Sequence, residues 1–196
     1  EPAIDFDPED ADSREADCIA FERQAAKDSG ELEQDADLEP LAEEIAARSI
    51  TLVRDRANLL PIRLDPSKTL AVVVPLPRDL TPADTSSHVK PRLAESLRAY
   101  HPRVDEILIP IDPGEQELAE IVRRLDGADL VVIGTINAFT QAGQAELVRR
   151  LLRREIPLII IAMRLPYDLA AFSEAPTYLC TYSILEPSMQ AGARAL

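Results

Sequence analysis

Four runs of the sequence, TLAVVVPL from Thr69, EILIPI from Glu106, ADLVVIG from Ala128 and IPLIIIAM from Ile156, are apolar at nearly every position instead of at every second one. A strand that must hide both faces reads this way, and chains meet that demand in a mainly parallel sheet with helices on either side. The stretches between the runs carry helical spacing: Leu93 and Leu97 within Pro91–Tyr100, Leu118, Ile121, Val122 and Leu125 within Glu115–Leu125, and Leu147, Val148, Leu151 and Leu152 within Gln141–Arg154. Strand and helix therefore alternate. This predicts an α/β fold, a three-layer α/β/α sandwich whose mainly parallel sheet has about five to six strands joined by right-handed crossovers. Further strands come from ITLVR (Ile50–Arg54), separated by the turn residue Asn58 from the extended LLPIRL, and from TYLCTYSI after Thr177, whose mixed character reads as a sheet edge. Leu41 and Ile45, with alanines between them, place a helix before ITLVR.

These elements fit one domain over residues 38–196, and residues 1–37 stand apart. Residues 1–40 hold 15 Asp and Glu against 3 Lys and Arg, leaving 20 against 18 in the remainder. With Ile4, Phe6, Ile19, Phe21 and Leu32 as its only large apolar groups, the first segment buries too little to offset its ordering entropy. It reads as an acidic linker or solvated arm. The alternative for part of it is a short amphipathic helix over Asp12–Asp28 on Ile19, Phe21 and Ala25. The nearly neutral remainder lacks the basic face that nucleic acid requires. No apolar stretch reaches the roughly 18–20 residues of a membrane span, and the acidic start EPAIDFDPED is not a signal-peptide pattern. The chain is expected to be soluble, with no nucleic-acid or membrane partner and no assigned compartment. Cys18 and Cys180 form neither a disulfide framework nor a zinc spacing, so no metal or cofactor is expected.

Chemistry in an open α/β sheet gathers at the carboxyl ends of the strands, here in loops that begin at Pro75, Pro110, Gly134 and Met163. The third, GTINAFTQAGQ, brings Thr135, Asn137, Thr140, Gln141 and Gln144 to a helix entrance. It lacks the glycines of GxGxxG and the lysine of a P-loop. Two readings stand for it: a helix start capped by Thr140, or a contact to a ligand or partner. In the first loop Ser86, Ser87 and His88 adjoin, but a hydrolytic serine needs a base held beside it by a third group. No GxSxG elbow is present, so His88 reads as a solvated loop histidine, and His101 follows a helix. Asp55, Asp112, Asp168 and Glu186 lie near strand ends without a visible pairing of the kind glycoside hydrolysis uses. Arg149, Arg150, Arg153 and Arg154 read as a charged helix end opposing the negative end of the dipole.

Three stretches, AEEIAARSITLVRDRANLLPI (Ala42–Ile62), DLVVIGTINAFTQAGQAELVRRLL (Asp129–Leu152) and PLIIIAMRLPYDLAAFSEAPTYLCTYSILEPSMQA (Pro157–Ala191), resemble the C-terminal domain of glycoside hydrolase family 3, in its β-N-acetylhexosaminidase branch. The most specific pieces are SITLVRD with LLPI, GTINAF with GQ, and PYDL with CTYS and PSM, and the match covers roughly residues 38–196. The resemblance implies an α/β sandwich that follows a (β/α)8 barrel bearing an aspartate nucleophile and an Asp–His acid/base pair. A barrel takes about 250 residues, and neither its strand pattern nor a Lys-His-Phe-Pro-Gly-His-Gly motif occurs here. The chain also stops where the family runs on into a Phe-Gly-Glu turn. The implied reading is a fragment: a noncatalytic domain that packs against its parent's barrel, meets carbohydrate only through it, and has no catalytic residue of its own. Gly134–Gln144 and Arg164–Asp168 are the expected barrel or substrate-cleft contacts, through Thr135, Asn137, Gln141, Gln144, Arg164, Tyr167 and Asp168. The competing reading is a stand-alone ligand-binding α/β module. It would place a glycine-rich turn after the first buried strand, where Pro75 and Pro77 stand.

Overall fold

The computed structural model describes residues 31–79, 85–154 and 156–196. The expected arm over residues 1–37, its alternative helix over Asp12–Asp28 and Cys18 fall wholly or mostly outside them. The chain divides into two compact units, Glu1–Ala42 and Glu43–Leu196. Helix α1 (Glu31–Ser49) begins in the first and ends in the second, with Pro40 inside it. Leu41 and Ile45, the basis for expecting a helix here, are both exposed on it.

The second unit is built on a six-stranded sheet in the order β1-β6-β5-β4-β2-β3. Its strands are β1 (Thr51–Asp55), β2 (Leu70–Pro75), β3 (Val104–Ile109), β4 (Leu130–Thr135), β5 (Leu158–Ala162) and β6 (Thr177–Cys180). All neighbours run parallel except β1, which pairs antiparallel with β6. Helices α2 (Leu93–Arg98), α3 (Glu115–Arg124), α4 (Ala142–Leu152) and α5 (Glu186–Ala195) complete the unit. Every residue of β2, β4 and β5 is buried, the outcome that continuous apolar runs require. Alternate side chains serve two cores. Val73, Ile133, Ile160 and Tyr178 pack with Leu118 and Ile121 of α3 and Leu147 and Val148 of α4. Val72, Val132, Ile159 and Leu179 pack on the other face with Leu93 and Leu97 of α2 and Met189 and Ala193 of α5. The mainly parallel three-layer sandwich read from the sequence is thereby borne out.

Four local readings are corrected. The Thr177 run is an interior strand, since β1 covers its outer side, and all four of its residues are buried. The edges are instead β1 and β3, and in β3 Asp105 and Leu108 are exposed, so the Glu106 run is not hidden on both faces. Helix α5 was not anticipated, because the residues it buries are mostly small: Ser188, Ala191, Gly192 and Ala193 beside Met189. Thr140 does not cap α4. The cap position is Gln141, and the Thr140 hydroxyl donates to the Asn137 carbonyl at 3.0 Å.

The strand order also determines where a crevice can open. From β2 the chain crosses to β3 on one side and then returns to β4 on the other. The loops leaving β2 and β4 thus diverge at a topological switch point, where open α/β sheets form their crevices.

Candidate functional site

Under the carboxyl edge lies a layer of buried polar side chains, Thr135, Asn137, Gln144 and Asp168. Gln144, at the start of α4, pairs with the backbone of the β4 exit as a neighbouring strand would. Its Oε1 accepts from the Ile136 N–H at 2.9 Å, and its Nε2 donates to the carbonyls of Ile136 (3.0 Å) and Ile111 (2.5 Å). Asp168, in the 3₁₀ helix Pro166–Ala171, reaches across from the β5 loop. It accepts the Thr135 hydroxyl at 2.6 Å and the Phe139 N–H at 3.3 Å. Burial pushes the Asp168 carboxyl above its ordinary value, against the opposing pull of the Thr135 hydroxyl and the N–H groups of Ala138 and Phe139.

Between these ties the chain turns at Asn137, whose φ of 55° lies in the left-handed region that asparagine tolerates better than most residues. The turn is closed by the N–H groups of Thr140 and Gln141, which donate to the Asn137 carbonyl at 2.9 and 3.1 Å. Among the described residues, no donor reaches the buried Asn137 Oδ1. Beyond the turn, the Gly143 N–H donates to Asp112 Oδ1 at 2.6 Å and fastens α4 to the β3 loop. A Cβ on Gly143 would stand 2.2 Å from the Pro113 carbonyl oxygen, so only glycine allows this approach.

The seven residues expected to make contacts therefore divide. Thr135, Gln144 and Asp168 come together, but they point inward and are used up in holding the loops. Asn137 shapes the turn, and Gln141 supplies its backbone N–H to it. Arg164 is half-buried, and its Nη2 donates to Ser86 Oγ at 3.0 Å. Only Tyr167 faces outward, 63% exposed. Sequence reasoning passed over its neighbour Phe139, 43% exposed, whose ring meets that of Tyr167 edge to face with centroids 6.1 Å apart. The available signal was an aromatic residue in an otherwise polar turn, one that neither core uses.

The other chemistry considered from the sequence is accounted for structurally. The Ser87 hydroxyl donates to Asp79 (2.6 Å), and His88 is exposed. His101 is buried, with Nε2 2.8 Å from the Lys68 carbonyl oxygen. Asp55 accepts the N–H groups of Leu59 and Leu60 and the Thr177 hydroxyl, and Glu186 pairs with Arg92 at 3.0 Å. Arg150 and Arg153 pair with Glu146, and Arg154 pairs with Asp126. Among the described residues no group of three or more His, Cys, Asp or Glu side chains is placed to hold a metal ion. Nor is any described helix long and apolar enough to cross a membrane.

No protein-family model matches the chain, and no curated protein does. Solved structures do. A glycoside hydrolase family 3 β-N-acetylglucosaminidase from Paenibacillus sp. str. FPU-7 is 29% identical, with a TM-score of 0.66 over 77% of this chain and 28% of that one. A fungal multi-domain family 3 β-N-acetylglucosaminidase with a GCN5-related glucosamine N-acetyltransferase region shares the fold at 24% identity and a TM-score of 0.69, over 83% of this chain and 18% of that one. A β-glucosidase from Erythrobacter marinus shares it at 18% identity and 0.60. The chain thus spans less than a third of the length of the proteins it matches. The resemblance read in the sequence is borne out: the chain is similar to the C-terminal α/β domain of these enzymes, and no catalytic barrel occurs among the described residues.

Proposed function

We infer that this chain, an α/β sandwich of the kind that ends family 3 β-N-acetylglucosaminidases, is the noncatalytic domain of such a glycosidase and works by packing against a catalytic (β/α)8 barrel in its parent protein. The observation that carries this is the alignment itself, 29% identity across 77% of this chain and only 28% of the Paenibacillus chain. The geometry of the site agrees. Hydrolysis of a glycosidic bond takes an acid/base group and a second carboxylate or a nucleophile on opposite sides of one bond. Here the carboxylates near strand ends are committed to backbone N–H groups, hydroxyls or arginine. What remains for the carboxyl edge is to present a firm surface. Residues 134–144 and 164–168 form that surface and wall the substrate cleft at the barrel's mouth.

The test compares two proteins on an aryl N-acetyl-β-glucosaminide: residues 1–196 alone, and the polypeptide encoded by the complete reading frame in which they lie. The expected result is sugar release by the complete protein and none by residues 1–196. Release by residues 1–196 that disappears with His88→Ala would overturn the reading, as would a complete reading frame without a barrel.

A further inference from the structure

Exposed large apolar side chains gather where the parallel strands end. Leu76 follows β2, Phe139 follows β4, Leu165 and Tyr167 follow β5, and Tyr182 and Leu185 follow β6, all of them exposed. These four strands are consecutive neighbours in the sheet, so their exits lie side by side along one edge. Aromatic residues are scarce in this chain, which has four Phe, four Tyr and no Trp. Three of them, Phe139, Tyr167 and Tyr182, are nevertheless left exposed at this edge. Phe172 and Tyr178, by contrast, are wholly buried and lie 6.2 Å apart in the core. Scattered apolar groups need no explanation, but a row of them at the exits of four adjacent strands marks a surface that is covered in use.

We propose that Phe139 and Tyr167 form a preset aromatic clasp that is the central anchor of this domain on the catalytic barrel of its own parent chain. The inference rests on the function proposed above and adds where and through what chemistry the two domains hold each other. Interface energy concentrates in aromatic anchors that are rigid before binding, because ordering a side chain on contact costs affinity. This pair meets that condition. Phe139 rides on a turn whose N–H is held by Asp168, and Asp168 is next in sequence to Tyr167. One buried carboxylate therefore ties together the two loops that carry the rings, and the rings meet edge to face. Phe139 itself forms one wall of a shallow hollow lined further by Ala142, Ala145, Ala170 and Ala171, with Thr140 and Arg149. Methyl-lined hollows next to projecting rings accept apolar side chains of a facing element. The occupant is the barrel because, in the solved relatives, the matched region is one part of a single chain several times longer.

The experiment uses the Phe139→Ala/Tyr167→Ala double variant in residues 1–196 and in the complete protein. In residues 1–196 the expected shift in melting temperature is within about 2 °C, since both residues are exposed and neither enters a core. In the complete protein the expected shift is a fall of about 3–6 °C, with cleavage between the two domains by a nonspecific protease at least tenfold faster. A complete protein that contains a barrel, hydrolyses the glucosaminide and shows neither change overturns the clasp while leaving the proposed function intact. A reading frame without a barrel overturns both. Concentration-dependent dimerisation of residues 1–196 that the double variant abolishes would make the occupant a second copy, and would also overturn the proposal.

Discussion

Single atoms decide several of these features. A methyl group on Gly143 would collide with the Pro113 backbone and displace the Asp112 oxygen, 2.9 Å from the same point. Neither the Pro113 backbone nor the fastened end of α4 can give way cheaply. Gly143→Ala is therefore expected to destabilise residues 1–196 by about 2–3 kcal/mol in urea unfolding, although alanine is the better helix former. Asp168 makes the opposite kind of prediction, about charge. Its carboxyl titrates above the ordinary value of 3.8 in the folded chain, so the folded state binds more protons than the unfolded one between those two pH values. Stability contributed by this group is then lost as pH rises through the folded value and regained as pH falls. Asp168→Asn keeps an oxygen acceptor for the Phe139 N–H and removes the charge. Melting curves across pH 3–8 should show the variant comparing best with the parent at neutral pH and losing ground steadily toward acid. A difference that is flat with pH would show that the Asp168 carboxyl titrates alike in the folded and unfolded chain.

Elements are held in register by few such residues, and Asp55 is one. Standing at the end of β1, it accepts the N–H groups of Leu59 and Leu60 and, from β6, the Thr177 hydroxyl. Burial opposes its charge, but these donors, the Leu59 N–H foremost, outweigh that and hold its carboxyl below the ordinary value of 3.8. Its contribution is thus present above that pH and lost as pH falls through the folded value. Asp55→Ala should cost about 1–3 kcal/mol at pH 7, and the gap from the parent should shrink in acid. This tie was hidden in the sequence. Asp55 could be seen near a strand end, but its partner Thr177 is 122 positions away. The same reason separates what was legible from what was not. Strands β2, β4 and β5 declare themselves because burial on both faces leaves Thr135, at the end of β4, as the only polar side chain along them. The polar residues of GTINAFTQAGQ were visible too, but their direction was not. Gln144 looks like a ligand contact until the Ile136 backbone is seen between its two polar ends. Phe139 went unremarked because one apolar residue in a turn has no period to reveal which way it faces.

At the scale of the whole molecule, composition and topology make different demands. Residues 1–37 are too acidic and too poor in large apolar groups to support a core, so their deletion should shift the melting temperature of residues 1–196 by only a few degrees, on the order of 1 kcal/mol or less. Extending the deletion through Asp55 removes β1, uncovers β6 and should prevent cooperative unfolding altogether, as judged by calorimetry. A cooperative transition surviving that longer deletion would show that the sheet is complete without β1. The far-edge pairing of β1 with β6 also carries a cost in time. A ribosome delivers β1 before any other strand, yet its partner is not made until some 122 residues later, roughly 6–25 s at the usual pace of about 5–20 residues per second. For that interval Leu52 and Val53 lie in an unpaired strand, the kind of segment that neighbouring nascent chains can recruit. Synthesis rate, and not only final stability, thereby becomes a determinant of yield, and slowing elongation between β1 and β6 should lower the soluble fraction recovered from cells.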